Sequence, residues 1–532
     1  MKRLLAALLI LLTLCGCQQA DQQETSDDPL PQQARKEVSF LAAGDNLIHG
    51  LIYESGLQED GSYAFEEMYA RVKPQIAAAD VAVLNQETVC GGSELGLSSY
   101  PAFNSPVEIL DAAADAGFDW LTTSTNHAMD LGEQAIVNQL QHIRTHHPQM
   151  VVTGTHDSEQ DASQLRVIVR NDVRIGMLSY TYGLNGIALP DGKEYLVDLI
   201  DVEKIAADLA ALNEVSDVQI VGMHWGSEYQ FEPDEQQRDL AQQLSDMGAD
   251  VIIGTHPHVL QPIEVISGEQ GNDTLVLYSL GNFVSAQDVN SRMLGGMAKW
   301  TLAYEPQTKA VYIEDVRFEP TVMFFDAAGK DVQVWPLSQY DDTLAARHLL
   351  SQQGEDMSKR YFTDLCREIM GGMMEGKRRM KMSERKVIAY NRKASHDYFL
   401  EDRYEAGLEL KGTEIKSIRQ GKVQLKDAYI SFVNNEAFIK EMHISAYAYG
   451  NRFNHDETRI RRLLLHRDEI RRLQQKVQLK GYTVVPISLY LHKGLAKLEI
   501  ALAKGKDLHD KRNAQKEKDA RREIEKALKN HW

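Results

Sequence analysis

The composition of this chain breaks at Lys377-Arg378-Arg379, and the two sides of the break suit different partners. Residues 382–532 hold 32 Lys and Arg against 21 Asp and Glu, a net charge of +11. Residues 1–381 hold 26 against 56, a net of −30. The whole-chain value of −19 averages two unlike parts. At 532 residues the chain also exceeds what a single core ordinarily fills. A basic end is matched to a polyanion, whereas the acidic remainder is not matched to nucleic acid. No repeat at solenoid period is apparent.

The first residues read as a signal peptide, with Lys2-Arg3 ahead of an apolar run from Leu4 to Leu14. That run falls short of the roughly 20 residues a membrane span needs. Leu14-Cys15-Gly16-Cys17 resembles a bacterial lipobox, which implies cleavage before Cys17 and lipid on its sulfur. An ordinary secretory signal is the alternative. Residues 18–36 are rich in Gln, Asp and Pro, as a tether would be. Cys90 and Cys366 are too far apart in sequence to define a disulfide framework.

From residue 37 to 377, short apolar runs alternate with amphipathic stretches, the pattern of an α/β domain. One helix is framed by Ser105 as cap, Pro106 in the first turn, Glu108 and a terminating Gly117. A second is expected over Leu344–Met370, with Gly371-Gly372 as its stop. Each of the main apolar runs ends in a polar cluster. Val38–Ala43 leads into Gly44-Asp45-Asn46, Val81–Leu84 into Asn85-Gln86-Glu87, and Phe118–Thr123 into Ser124-Thr125-Asn126-His127. Val218–Met223 leads into His224-Trp225-Gly226, and Val251–Ile253 into Gly254-Thr255-His256-Pro257-His258. Ligand sites of α/β sheets lie beyond the carboxyl ends of strands. Strand ends that offer Asp, Glu, Asn and His together suit manganese, iron or zinc better than calcium.

Gly44-Asp45, Asn85-x-Glu87, Asn126-His127-x-x-Asp130-x-Gly132, His224-Trp225-Gly226-x-Glu228-Tyr229, Gly254-x-His256-Pro257-His258 and Ser279-Leu280-Gly281-Asn282-Phe283 resemble the CapA family. Those poly-γ-glutamate capsule-synthesis proteins are related to the calcineurin-like metallophosphatases. The resemblance implies a metallophosphatase-like α/β sandwich that binds one or two divalent ions (Mn, Fe or Zn). Asp45, Glu87, Asn126, His224, His256 and His258 would be the ligands, and His127 the general acid. The implied activity is a metal-dependent hydrolase or transferase, or a binder, of an anionic envelope polymer. Leu47 stands where the phosphatase pattern has a His, and Glu87 where it has an Asp, which leaves the first of two metal positions in question.

Residues 385–503 read as a small antiparallel barrel of oligonucleotide-binding type. Ala428–Phe432 and Ala437–Ile439 flank Asn434-Asn435, a hairpin signal, and Thr483–Leu491 and Leu495–Ala503 form a second hairpin. Between them His455–Lys476 is Arg-rich and expected to be helical. Asn391-Arg392-Lys393-Ala394, Tyr404-Glu405-Ala406-Gly407-Leu408, Gly412-x-Glu414-x-Lys416-Ser417, Gly481-Tyr482-Thr483-Val484-Val485 and Lys504-Gly505-Lys506-x-x-His509-Asp510-Lys511-Arg512 resemble the SsrA-binding, or small protein B, family. The resemblance implies binding of transfer-messenger RNA (SsrA RNA) and delivery of it to stalled ribosomes, with no cofactor and no bond made or broken. Asn391, Glu405, Leu464, Lys497, Lys504 and Lys506 would face the RNA. The tail, residues 504–532, would carry His509, Asp510, Lys511 and Arg512 to the decoding centre.

Two addresses conflict here. A lipid-anchored first part belongs outside the inner membrane, and a ribosome partner belongs in the cytoplasm. The readings that reconcile them are two merged reading frames, internal initiation at Met380 or Met382 in the 378–384 junction, or a bifunctional chain.

Overall fold

The structure, a computed structural model, describes residues 35–268, 272–307, 309–371, 385–391, 393–394, 398–447, 454–478, 482–492 and 495–505. Cys17, Lys506, His509, Asp510, Lys511 and Arg512 lie outside these residues.

The acidic part is built on β1 (Lys36–Asn46), β2 (Val81–Gln86), β3 (Trp120–Thr122), β4 (Val151–Thr153), β5 (Val167–Arg170), β6 (Val173–Thr181) and β7 (Val218–His224). It continues with β8 (Val251–Thr255), β9 (Leu260–Ser267), β10 (Asp273–Leu280), β11 (Asn282–Val284), β12 (Leu294–Glu305), β13 (Ala310–Phe325) and β14 (Val332–Pro336). Two sheets result. One runs β14-β13-β12-β1-β2-β3-β4 with β11 added beside β1, and the other runs β5-β6-β7-β8-β10-β9. β1 to β4 are mutually parallel, as are β6, β7, β8 and β10.

Strands covered on both faces need no polar alternation, which is why 218–223 reads as an apolar run broken only by Gln219. Ile220 packs between the sheets with Ile175, Val251 and Leu275. Val221 and Met223 face outward onto Ile205, Leu209 and Leu244 of the helices Val202–Val215 and Glu235–Asp246. The acidic part is thus an α/β sandwich. β12, β13 and β14 complete the first sheet beyond β1.

The sheets are stitched where the chain passes from β10 to β11 through Gly281, at φ +66°. Asp45 N–H donates to Gly281 O at 2.9 Å. A Cβ on Gly44 would lie 1.9 Å from that oxygen, so only glycine lets β1 approach this closely.

Several local expectations are corrected. The helix Glu108–Ala116 starts without a side-chain cap, because Ser105 Oγ donates to Thr88 Oγ1 instead; Gly117 does end it, at φ +104°. Leu344–Met370 is three helices, Asp342–Arg347, Leu349–Gln352 and Lys359–Met370, interrupted where His348 and Ser358 cap new turns. The first strand begins at Lys36 and the last ends at Gly505, a residue or two outside the expected limits of 37 and 503.

The basic part contains β15 (Arg385–Tyr390), β16 (Tyr398–Leu408), β17 (Val423–Gln424), β18 (Tyr429–Val433), β19 (Glu436–Lys440), β20 (His443–Ile444), β21 (Arg461–Leu464), β22 (Tyr482–His492) and β23 (Leu495–Gly505). The main sheet runs β15-β22-β23-β16-β21-β19-β18, antiparallel throughout, and β18 returns against β22 so that the sheet curls toward a barrel. Asn434 and Asn435, at φ +51° and +60°, make the tight turn their sequence predicts.

The stretch 455–476 is not one helix. Arg461–Leu464 alternates buried and exposed and joins the sheet as β21, and the helix begins only at Arg467. Arg461 is fully buried, with Nε on Glu414 Oε1 at 2.9 Å, and Arg459 binds the same carboxylate. Burial opposes ionisation of Glu414, but Arg459, Lys411 N–H and Arg461 outweigh it and hold its pKa below the ordinary 4.5. The stability this confers is complete above that ordinary value and is lost as pH falls through the depressed one. Glu414→Ala, which strands two guanidinium groups, is expected to cost about 3–5 kcal/mol. Hydrogen exchange across β16, β21 and β23 should then be faster; unchanged exchange would contradict the assignment.

Candidate metal centre and nucleic-acid interface

The carboxyl ends of β1, β2, β7 and β8, two from each sheet, meet in one buried cluster. Glu87, His256 and His258 present ligand atoms that all lie within 4.8 Å of one another. His258 Nε2 is 3.5 Å and His224 Nε2 3.7 Å from Glu87 Oε1. Asp45 stands behind His258, with Oδ2 3.2 Å from Nδ1, and is itself held by Asn85 Nδ2 at 2.9 Å. Asn126 Oδ1 accepts from His224 Nε2 at 2.8 Å. Three of the six expected ligands therefore converge directly, and Asp45, Asn126 and His224 border them. Leu47 is buried and supplies nothing. His49 is not among the converging ligand atoms; its Nδ1 accepts from Ala286 N–H at 3.2 Å.

The cluster is built under strain. His256 (φ +96°), His258 (φ +59°) and Tyr229 (φ +64°) are non-glycine residues in the left-handed region, a conformation that persists only where the surroundings impose it. Both Glu87 oxygens and His256 Nδ1 are buried without a hydrogen-bond partner. Unpartnered buried groups of this kind are costly, and a cation would satisfy all of them at once. The donor set of one carboxylate and several imidazoles fits a divalent transition metal.

Burial pushes the Glu87 carboxyl well above the ordinary carboxylate range. Burial also works against charge on His258, yet Glu87 and Asp45 overcome it and lift that imidazole to about 9. Burial and the neighbouring rings push His256 down to about 3 and keep His224 neutral. At neutral pH the Glu87–His258 pair thus holds a proton that a metal must displace.

His127 lies beside the cluster with Nδ1 2.7 Å from Asp130 Oδ2, and its ring sits edge-on to Phe103 at 4.8 Å. Asp130 also accepts Phe103 N–H at 2.7 Å, which fixes the carboxylate. With Nδ1–H donated to Asp130, Nε2 is the atom left to exchange a proton.

Sequence reading missed two contributors. Asn185 Oδ1 accepts from Asn126 Nδ2 at 3.2 Å, and its own Nδ2 lies 3.4 Å from His127 Nδ1, whose proton goes to Asp130. Tyr182 lays its ring 4.7 Å from that of His256. Both follow β6, so the pattern of apolar run and polar sequel extends to Tyr182-Gly183-Leu184-Asn185. Arg292 also reaches the rim, 3.6 Å above the Tyr229 ring.

In the basic part, Glu405, Leu464 and Lys497 share one region of the sheet. Gly407 pairs with Leu464 on one side and Lys497 on the other. Lys497 Nζ is 3.1 Å from Glu405 Oε1, Tyr490 Oη donates to Glu405 Oε2, and Leu464 is 53% exposed. Leu464 also lines a cleft of about 730 Å³ with Asn434, Arg467 and Arg471. Asn391 is separate and buried. It donates from Nδ2 to Pro486 O at 3.0 Å, four residues along β22 from Tyr490. Lys504, near the end of β23, lies 5.9 Å from the Tyr482 ring.

Two folding parts are thereby defined, an α/β sandwich with a candidate metal nest and a strand-rich basic sheet with a candidate RNA face. Residues 39–287 match the bacterial capsule synthesis protein PGA_cap family, and residues 388–530 match the SmpB protein family. The SsrA-binding protein of Geobacillus thermodenitrificans (strain NG80-2) is 55% identical over 150 residues, 28% of this chain and 97% of that relative. The solved structure "tmRNA-SmpB: a journey to the center of the bacterial ribosome" is 42% identical, covering 24% of this chain and 87% of that one at a TM-score of 0.21. A 5'-nucleotidase precursor from Thermus thermophilus is 12% identical, covering 86% of this chain and 94% of that one at a TM-score of 0.31. The chain belongs to the SmpB family, and it carries a CapA-type PGA_cap domain ahead of its SmpB part.

No helix among the described residues is long and apolar enough to cross a membrane. Because a protonated imidazole cannot ligate, metal uptake is expected to release about one proton near pH 7 and to strengthen roughly tenfold per pH unit below about 9. Calorimetry in buffers of different ionisation enthalpy reads this directly. Uptake independent of pH between about 6 and 8 would contradict the proton assignment.

Proposed function

We propose that the C-terminal part binds transfer-messenger RNA and delivers it to stalled ribosomes. The 55% identity across nearly the whole of an SsrA-binding protein carries this reading. Glu405, Leu464 and Lys497, with Lys504 and the buried Asn391, form or support the face that meets the RNA. Contact there is by backbone and shape, as suits a folded RNA. Lys497 is held in place by Glu405, which Tyr490 fixes in turn. Lys506 and the tail residues His509, Asp510, Lys511 and Arg512 would extend the contact to the decoding centre.

The acidic part is proposed to be a metal-dependent hydrolase or transferase acting on an anionic envelope polymer. The unpartnered Glu87 oxygens amid imidazoles carry this reading. Glu87, His256 and His258 would hold a manganese, iron or zinc ion, with Asp45, Asn126 and His224 bordering or joining them. The ion when bound would act as a Lewis acid. His127, oriented by Asp130, would supply a proton to a leaving group from Nε2. Arg292 at the rim offers an anionic chain a cation in an otherwise acidic domain.

The lipobox-like Leu14-Cys15-Gly16-Cys17 supports membrane attachment of this first part through Cys17. The two parts then work in different compartments, so the C-terminal part reaches ribosomes as a product free of Cys17, started at Met380 or Met382. Antibody to the tail should detect a soluble band far below 60.0 kDa. Only a full-length band in the membrane fraction would contradict this. Lys497→Ala, or removal of residues 504–532, is expected to abolish tagging of stalled products; intact tagging would refute the RNA assignment.

A further inference from the structure

We propose that Asp111, His142 and His147 form a second binding site for a divalent ion of the zinc class, on the helices outside the first sheet and apart from the buried cluster. Asp111 lies in the helix Glu108–Ala116, and His142 lies near the end of the helix Glu133–His146, with His147 just past it. That helix end leads into the start of β4, whereas the buried cluster lies past the opposite, carboxyl ends of the strands.

His142 Nε2 and His147 Nε2 converge on the same oxygen, Asp111 Oδ1, at 2.7 and 2.6 Å. The three ligand atoms lie within 4.8 Å of one another. The side chains are 15%, 18% and 37% exposed for His142, His147 and Asp111, enough for an ion to enter and too little for the rings to swing freely. The ring of His146 lies 4.5 Å from that of His142 and offers a further imidazole one turn away.

Two N–H groups on one carboxylate oxygen make a hydrogen-bonded clamp between helices. The same atoms match a tetrahedral zinc set. Bond lengths of about 2.0–2.1 Å place tetrahedral ligand atoms about 3.3–3.4 Å apart, so the two Asp111–imidazole pairs, now at 2.7 and 2.6 Å, need open by only a fraction of an ångström. Partly exposed side chains accommodate that by small torsional changes. Two imidazoles and a carboxylate favour zinc, copper or nickel over calcium or magnesium.

Zinc is the probe, and chelator-stripped full-length chain the sample. At equilibrium the wild type should hold one more equivalent than His142→Ala/His147→Ala and than Asp111→Asn. The Asn is isosteric and keeps an oxygen for both rings, so the helices stay packed in that variant. Zinc should also shield His142 and His147 of the wild type from diethyl pyrocarbonate, a readout that needs no variant. Equal stoichiometry in wild type and Asp111→Asn, or unshielded histidines, would overturn the proposal.

Discussion

The acidic domain depends on one close approach between its two sheets. Asp45 N–H reaches Gly281 O across the junction, and the missing side chain of Gly44 makes room for it. β11 then pairs in parallel with the end of β1, bringing Asn282 opposite Asp45. Through this contact Asp45 and Glu87 of the first sheet come to face His224, His256 and His258 of the second. Asn282 Oδ1 also meets His258 Nδ1 at 3.0 Å, so the stitch itself helps orient a candidate ligand. A side chain at residue 44 would separate the carboxylates from the imidazoles.

Polar groups gathered in this way are unstable without compensation. Part of it is internal, since Asn85, Asn126, Thr255 and Asn282 each occupy one atom of an acidic or imidazole neighbour. The Glu87 oxygens and His256 Nδ1 remain without hydrogen-bond partners, and the left-handed backbone at His256 and His258 adds strain. The basic part solves a comparable problem differently. Its buried Glu414 is neutralised by two arginines from within the chain, so that site is closed and structural.

Strand ends were readable because a strand buried on both faces shows as a largely apolar run whose polar sequel stands out. Asn185 escaped because a glycine and a leucine dilute the sequel to β6. Arg461 and Arg462 read as part of a charged helix, yet the sheet takes them, and a tertiary partner, Glu414, makes burial of Arg461 tolerable. No local signal in 455–476 carries that information. The separation of Asn391 from Glu405, Leu464 and Lys497 likewise depends on strand register, which the motifs do not encode. The break at Lys377-Arg378-Arg379 lies in the stretch between the end of one family match at residue 287 and the start of the other at residue 388.

That this junction of sheets is a metal centre is tested most directly by anomalous X-ray diffraction. Crystals of the full-length chain would be measured on both sides of the manganese, iron and zinc absorption edges. An anomalous peak bounded by Glu87, His256 and His258 is expected. Crystals grown with these metals that show no peak there would contradict the assignment.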